Sequence, residues 1–351
     1  MSKIELAMEL DRANGAYEPG EPIEGCVVVR TTEPGSSRRL VVSLGVVARP
    51  LPPVEHARTE VGLLEQSVLA ENVDWRAGDV RRFPFRLTTT GLVRSYAGQL
   101  MRLQPCVHVA TAVSRSEVRE IEIAPRRDRG LHVAWSASDL APRRILWLPL
   151  SAVLLVASTA STGWAFADGI APLLFVALLV ALGSAVAFAF GVRPWLSQLR
   201  TGAIRIALEQ GPGPSGALAD GSRALRVTLE VPAAKPLASP PRARLVVREL
   251  VRRYTSGATP SWTRDLFSEA VELRAGGAPG RMQGDVALPD AGSVPYNLTI
   301  GSLDGASDGG AGFAIEWWLE IEVPAGPGAD FRRRIPLRAR PIDVPFDVER
   351  G

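Results

Sequence analysis

Lysine is almost missing from this 351-residue chain: Lys3 and Lys235 are the only two, and arginine supplies the rest of the 40 basic residues. Against 37 acidic residues the formal net charge is only +3. That is too small a footprint for nucleic acid, and no basic stripe with interleaved aromatics runs through the sequence, so no nucleic-acid partner is expected. Cysteine is scarce too. Cys26 and Cys106 stand far apart in apolar contexts and form no C-x-x-C pair, which excludes the common zinc and redox motifs and reads as two small buried hydrophobes rather than a disulfide. The three histidines, His56, His108 and His132, have no partner at ligand spacing and no H-E-x-x-H or triad context. There is no phosphate-binding G-x-x-x-x-G-K-[ST] or G-x-G-x-x-G after a strand. Asp304 and Asp308 lack the periodic carboxylates of a calcium loop. No catalytic, cofactor-binding or metal-ligating residue can therefore be named, no cofactor is expected, and an enzyme reading has no supporting motif. The opening MSKIELAMEL has no apolar h-region, so no secretory signal is expected there.

Charge is also missing from two long stretches. Ile145–Ala167 and Ile170–Val192 are each 23 residues without an ionisable group, separated by Asp168-Gly169. Each is long enough to cross about 30 Å of hydrocarbon as a helix. The sequence thus predicts a transmembrane helical hairpin over 145–192, and the lipid bilayer becomes an expected partner. Arg143 and Arg144 precede the first run and Arg193 follows the second, while the turn carries only Asp168. By the positive-inside rule this predicts a multi-pass inner-membrane protein with both termini cytoplasmic. Trp147, Trp164 and Trp195 fall where interfacial aromatics are expected. Small residues repeat every four positions in the second run, at Ala177, Ala181, Ala185 and Ala189. Such a stripe serves packing against the first run or a homo-oligomer seam. No ionisable group lies inside either run, which argues against a transporter or proton relay.

The rest of the chain reads as strands. Ile4, Leu6, Met8 and Leu10 alternate with polar or small residues. In AYEPGEPIEG, Pro19 supplies the φ of a second turn position and Gly20 can take positive φ at the third, so Glu18 to Glu21 reads as a type II turn. Pro22 cannot donate a ladder bond, so the next strand begins after it or at an edge, and Gly25 within that strand marks a bulge or a close backbone approach. LVVSLGVVA, RRFPFRL, CVHVATAV and VREIEIA follow as short strands between turn signals, the pattern of an antiparallel β-sandwich. The motif Tyr17-x-Pro19-Gly20-Glu21-x-Ile23-x-Gly25-x-Val27-x-Val29, followed by Phe83-Pro84-Phe85 and Ser95-Tyr96-x-Gly98, resembles arrestin-like N-terminal domains over residues 1–125. The resemblance implies a β-sandwich of that family and carries over no polar-core or receptor-binding residue.

Beyond the apolar runs the plan repeats. IRIALE echoes IELAMEL, RARLVVREL echoes RRLVVSLGV, GDVALPD echoes GDVRRFPF, and FAIEWWLEIEV echoes the strand at Val107. The expected fold is mainly β: two arrestin-like antiparallel β-sandwich domains, 1–125 and 203–345, with a basic juxtamembrane linker at 126–144 and a two-helix transmembrane hairpin at 145–192 between them. The expected function is a membrane-anchored, non-enzymatic scaffold or adaptor that docks protein partners. The alternative is an envelope protein whose β-domains face the periplasm and bind a ligand or envelope component.

Overall fold

The computed structural model describes residues 4–54, 57–89, 94–111, 116–124, 131–140, 179–180, 182–183, 204–212, 223–232, 237, 239–253, 260–290, 292–301, 311–324 and 331–341. They are mainly β. In the first half, β1 (Ile4–Leu10), β3 (Pro22–Thr31) and β6 (Val80–Thr88) form an antiparallel sheet in the order β1-β3-β6. The facing sheet runs β5 (Glu60–Trp75), β4 (Gly35–Pro50), β8 (Met101–Thr111), β7 (Tyr96–Ala97), and β9 (Glu117–Glu120) also pairs with β8. A short parallel pair, β2 (Ala16–Tyr17) with β10 (Glu122–Ile123), closes one end.

Alternation decides which side chains lie between the sheets. Val27 and Val29 on β3, Leu40, Val42, Leu44 and Val46 on β4, and Val107 and Val109 on β8 belong to the buried core. Their in-between neighbours on β4 and β8 form the outer rows of the five-stranded sheet.

The second half repeats the pairing. β12 (Arg205–Pro212), β13 (Arg223–Glu230), β17 (Arg281–Ala287) and β16 (Arg274–Ala275) make one sheet in that order. The other runs β15 (Ser261–Glu272), β14 (Arg242–Arg253), β19 (Ala311–Val323), β20 (Phe331–Pro341), β11 (Leu131–Ala134), with β18 (Leu298–Gly301) also on β19. Thus β14 sits between β15 and β19 as β4 sits between β5 and β8. Residues 131–134, inside the stretch read as a linker, are a strand of the second half: β11 pairs with β20 from Leu131↔Pro341 to Ala134↔Arg338. Gln210 on β12 secures it, its Oε1 accepting from Val133 N at 2.9 Å and its Nε2 donating to Leu131 O.

The expected two-helix transmembrane hairpin, and with it the multi-pass inner-membrane placement, must be corrected. Among the described residues no helix is long and apolar enough to cross a membrane. The helix α1 (Ala137–Leu140) has four residues. Within 145–192 only Leu179, Val180, Leu182 and Gly183 are described, all helical. Uncharged length drove the hairpin expectation, with the flanking arginines and tryptophans read on top of it, and an uncharged run satisfies that criterion whatever it packs against. Trp147, Trp164, Trp195, Arg143, Arg144 and Arg193 lie outside the described residues.

Gly25 is set by close approach. The registers of β3 with β1 and β6 run through it without a shift. A Cβ there would lie 2.5 Å from the Glu9 carbonyl oxygen and 2.6 Å from Phe85 Cζ. One obstacle is backbone and the other a largely buried ring, so neither can yield cheaply. Gly25→Ala is expected to destabilise the full chain by about 1–3 kcal/mol through overpacking, measured by urea unfolding; an unchanged midpoint would contradict this contact.

Candidate functional site

The core row of β14 contains one residue that does not belong in a core. Ala243, Leu245, Val247 and Val251 alternate toward the interior, and Glu249 falls in the same row, 0% exposed. A buried carboxylate is costly unless hydrogen-bonded. The donors come from the first sandwich. Tyr96 Oη donates to Glu249 Oε1 at 2.8 Å, and the amides of Gln99 and Leu100 donate to Oε2 at 3.1 and 3.0 Å.

Ser95–Leu100 is built to reach this position. Ser95 N donates to Ile123 O, and Gly98 N donates to Met101 O at 2.9 Å, folding the chain back into β8. Gln104 Nε2 anchors the base through Ile121 O at 2.5 Å. Gly98 has no room for a side chain: a Cβ would lie 1.5 Å from Glu249 Oε1 and 2.5 Å from Tyr96 Oη. The Ser95-Tyr96-x-Gly98 spacing, read from sequence only as part of the arrestin-like resemblance, is thus the socket for a carboxylate from the other half of the molecule.

Further contacts ring this clamp. Arg264 Nε on β15 donates to Gln99 Oε1 at 2.6 Å. Arg94 donates to Gly292 O at 2.7 Å, and its guanidinium carbon lies 5.7 Å from the Tyr296 ring centroid. Ala311 N donates to Glu60 Oε1 at 3.3 Å. Gly62 lies against Ile300, whose Cγ1 would be 3.1 Å from a Cβ there. The buried apolar residues of the two sandwiches form one continuous cluster. Burial first, then the Glu249 charge and hydrogen bond, push the Tyr96 hydroxyl pKa far above its ordinary value. Burial draws the Arg94 pKa down.

The residues singled out from sequence lie elsewhere. Pro19 and Gly20 occupy the turn in which Glu21 N donates to Glu18 O at 3.1 Å, with Gly20 at φ +88°. Gly20 N donates to Thr89 Oγ1 at 2.6 Å. Cys26 and Cys106 are free thiols. Burial raises the Cys106 pKa to about 11, so the thiolate needed for reaction is disfavoured at neutral pH. His108 stands on β8 with its pKa lowered by burial. Among the described residues no group of three or more His, Cys, Asp or Glu could hold a metal ion. Glu249 was missed by sequence reasoning, though its position in the inward row of RARLVVRELV was the available signal.

No protein-family model matches the chain, and no curated protein matches it. Among solved structures it is similar to Spo0M, the sporulation control protein from Bacillus subtilis, at 9% identity over 95% of this chain and 90% of that one, with a TM-score of 0.28. It is also similar to a β-glucosidase from Listeria innocua, at 22% identity over 35% of this chain and 16% of that one, with a TM-score of 0.22. The alkylpurine DNA glycosylase AlkC from Pseudomonas fluorescens matches at 18% identity over 35% of this chain and 30% of that one, with a TM-score of 0.21. At these TM-scores none carries an argument about the chain, and the β architecture rests on its own strands.

Glu249→Gln keeps the shape of the side chain but turns an NH2 group toward either the tyrosine hydroxyl or the two amides. It is expected to cost about 1–3 kcal/mol and to speed hydrogen exchange at the Gln99 and Leu100 amides. Unchanged protection at both amides would remove the clamp assignment.

Tyr96 also sets an alkaline limit. A hydroxyl whose folded pKa is raised stabilises the fold fully below its unfolded value of 10.0 and progressively less as pH rises above it. Tyr17, raised by burial and by its hydrogen bond to Asp11, adds in the same direction. Unfolding free energy should therefore fall above about pH 10, with a shallower fall in Tyr96→Phe; equal slopes would refute the assignment.

Proposed function

We propose that this protein is a non-enzymatic scaffold or adaptor whose two β-sandwiches, held in fixed relation, dock protein partners. The observation that carries the reading is the Glu249 clamp. A fully buried carboxylate with three donors from the other sandwich joins the halves through a continuous core, so that surfaces on both keep a set spacing. A partner that touches both sandwiches gains from this, because the cost of orienting them is met in folding rather than on binding. The residue signature at Tyr17–Val29 and Ser95–Gly98, which resembles arrestin-like domains, supports the same reading by analogy. The matching strand order of the halves supports descent from a duplicated domain.

The test is co-purification of the tagged full chain from its native host, with the Glu249→Gln variant in parallel. A partner recovered in stoichiometric amount by the full chain and depleted by the variant is the expected result. Recovery of no partner, together with turnover of a small-molecule substrate by the purified chain, would replace the adaptor reading with an enzymatic one.

A further inference from the structure

Aliphatic side chains stand exposed on the outer face of the first sandwich's five-stranded sheet, beside polar and buried residues of its central strands. Register assigns its rows. Val61 lies opposite Val47, Leu63 opposite Gly45, Gln66 opposite Ser43, and Val68 opposite Val41. Across β4 the same rows continue to Gln104, Cys106, His108 and Ala110, and then to Glu120 and Val118 on β9. Val61, Leu63 and Val68 are 41%, 44% and 38% exposed, and Val118 is 41% exposed. Leu64, at a register shift beside Leu63, is 44% exposed. Aliphatic side chains clustered on one face, rather than scattered singly, mark an interaction surface.

The edge of this sheet is not the attachment point. β5 is its outermost strand, but register shifts at Leu40/Val41 and Leu44/Gly45 and a positive φ of 51° at Asn72 break its line of backbone groups. Such breaks discourage strand addition. The face itself is what remains available.

Charge at one end of the apolar rows specifies what fits. Arg49 on β4 lies opposite Arg102 on β8, and both are exposed. Like charges directly opposite repel. Glu120 pairs with Arg49, while among the described residues Arg102 reaches the Gln104 amide oxygen, at 3.4 Å, and no carboxylate. Glu71, at the other end, lies 3.8 Å from Arg39. Both carboxylates of these outer rows are therefore already paired. A second copy of the chain laid face to face would offer Arg102 no free carboxylate, whereas a different partner can bring one.

We propose that this face docks a protein segment presenting apolar side chains next to a carboxylate: the apolar groups on Val61, Leu63, Val68 and Val118, the carboxylate on Arg102. The proposal rests on the adaptor reading and names the chemistry of its partner. Arg102 acts as a specificity determinant, because a guanidinium fork favours carboxylates geometrically.

Random short peptides displayed on phage are selected against the full chain, the Leu63→Asp/Val118→Asp double variant and Arg102→Glu. Substituted side chains this exposed leave the core intact, which an unchanged unfolding midpoint verifies; if the double variant unfolds, Leu63→Ser/Val118→Thr replaces it. The expected winners combine aliphatic residues with Asp or Glu, and a synthesised winner loses about tenfold or more in affinity for the double variant. Arg102→Glu is expected to shift the winners toward Lys and Arg. Winners that bind the double variant as tightly as the full chain would overturn this face and leave the adaptor reading standing. Winners without carboxylates, or a dimer of the full chain that the double variant abolishes, would overturn the proposed partner chemistry. Failure to recover any peptide on the full chain would overturn the face, while the adaptor reading is decided by the co-purification.

Discussion

The arrangement of this molecule depends on one carboxylate in a place where a carboxylate is expensive. Glu249 lies in the core row of a central strand with no exposed surface. Among the described residues its three donors all come from Tyr96–Leu100 of the first sandwich. Separating the halves would leave a charge facing an apolar row, and three donors without their acceptor. Such a pair of losses is far larger than the net worth of the bonds themselves. The clamp therefore acts less as glue than as a constraint: it penalises every relative placement of the sandwiches except this one.

The repeat shows how the constraint fits an ordinary fold. In the first half, Leu44 occupies β4 opposite Val107 and is core. Glu249 occupies β14 opposite Ile315, the matching place in the second half. Where one half uses leucine to fill its own interior, the other uses glutamate and is completed by its neighbour. The loops preceding β8 and β18 carry the complementary changes. Tyr96 faces Glu249, while Arg94 and Tyr296, each just before β7 and β18 respectively, lie against each other.

Much of the strand order was legible because it is written in local terms. Alternation found β1, turn-bounded apolar runs found β4 and β8, the internal repeat found β14 and β19, and the echoed segments occupy equivalent places in the two pairing schemes. What was not legible was long-range. Ser95-Tyr96-x-Gly98 stood out only as part of the arrestin-like resemblance, because nothing adjacent in sequence says that Gly98 is pressed by a carboxylate 151 positions downstream. Leu131–Ala134 looked like linker because four residues are too few for periodicity to register, and only pairing with β20 gives them a role. The apolar runs misled in the opposite way: hydropathy measures a preference to leave water and is silent about what receives the side chain.

The outer faces of the two sandwiches complete the contrast. On the second, arginines of β14 and β20 flank glutamates of β19: Arg334 pairs with Glu320 at 2.9 Å and Arg332 with Glu322 at 2.6 Å. Trp318 is held between the guanidinium groups of Arg248 and Arg334, 4.7 and 4.5 Å from its ring centroid, and its Nε1 donates to Glu320 Oε1. An aromatic side chain that would otherwise be an exposed apolar surface is covered by paired charges. On the first sandwich Val61, Leu63 and Val118 stay 41%, 44% and 41% exposed, and its central row narrows to Gly45 beside the fully buried Cys106. Two sheets of the same pairing order have thus diverged on the side where folding imposes nothing. One satisfies its surface internally, and the other leaves aliphatic side chains facing outward, the difference on which the proposed docking face rests.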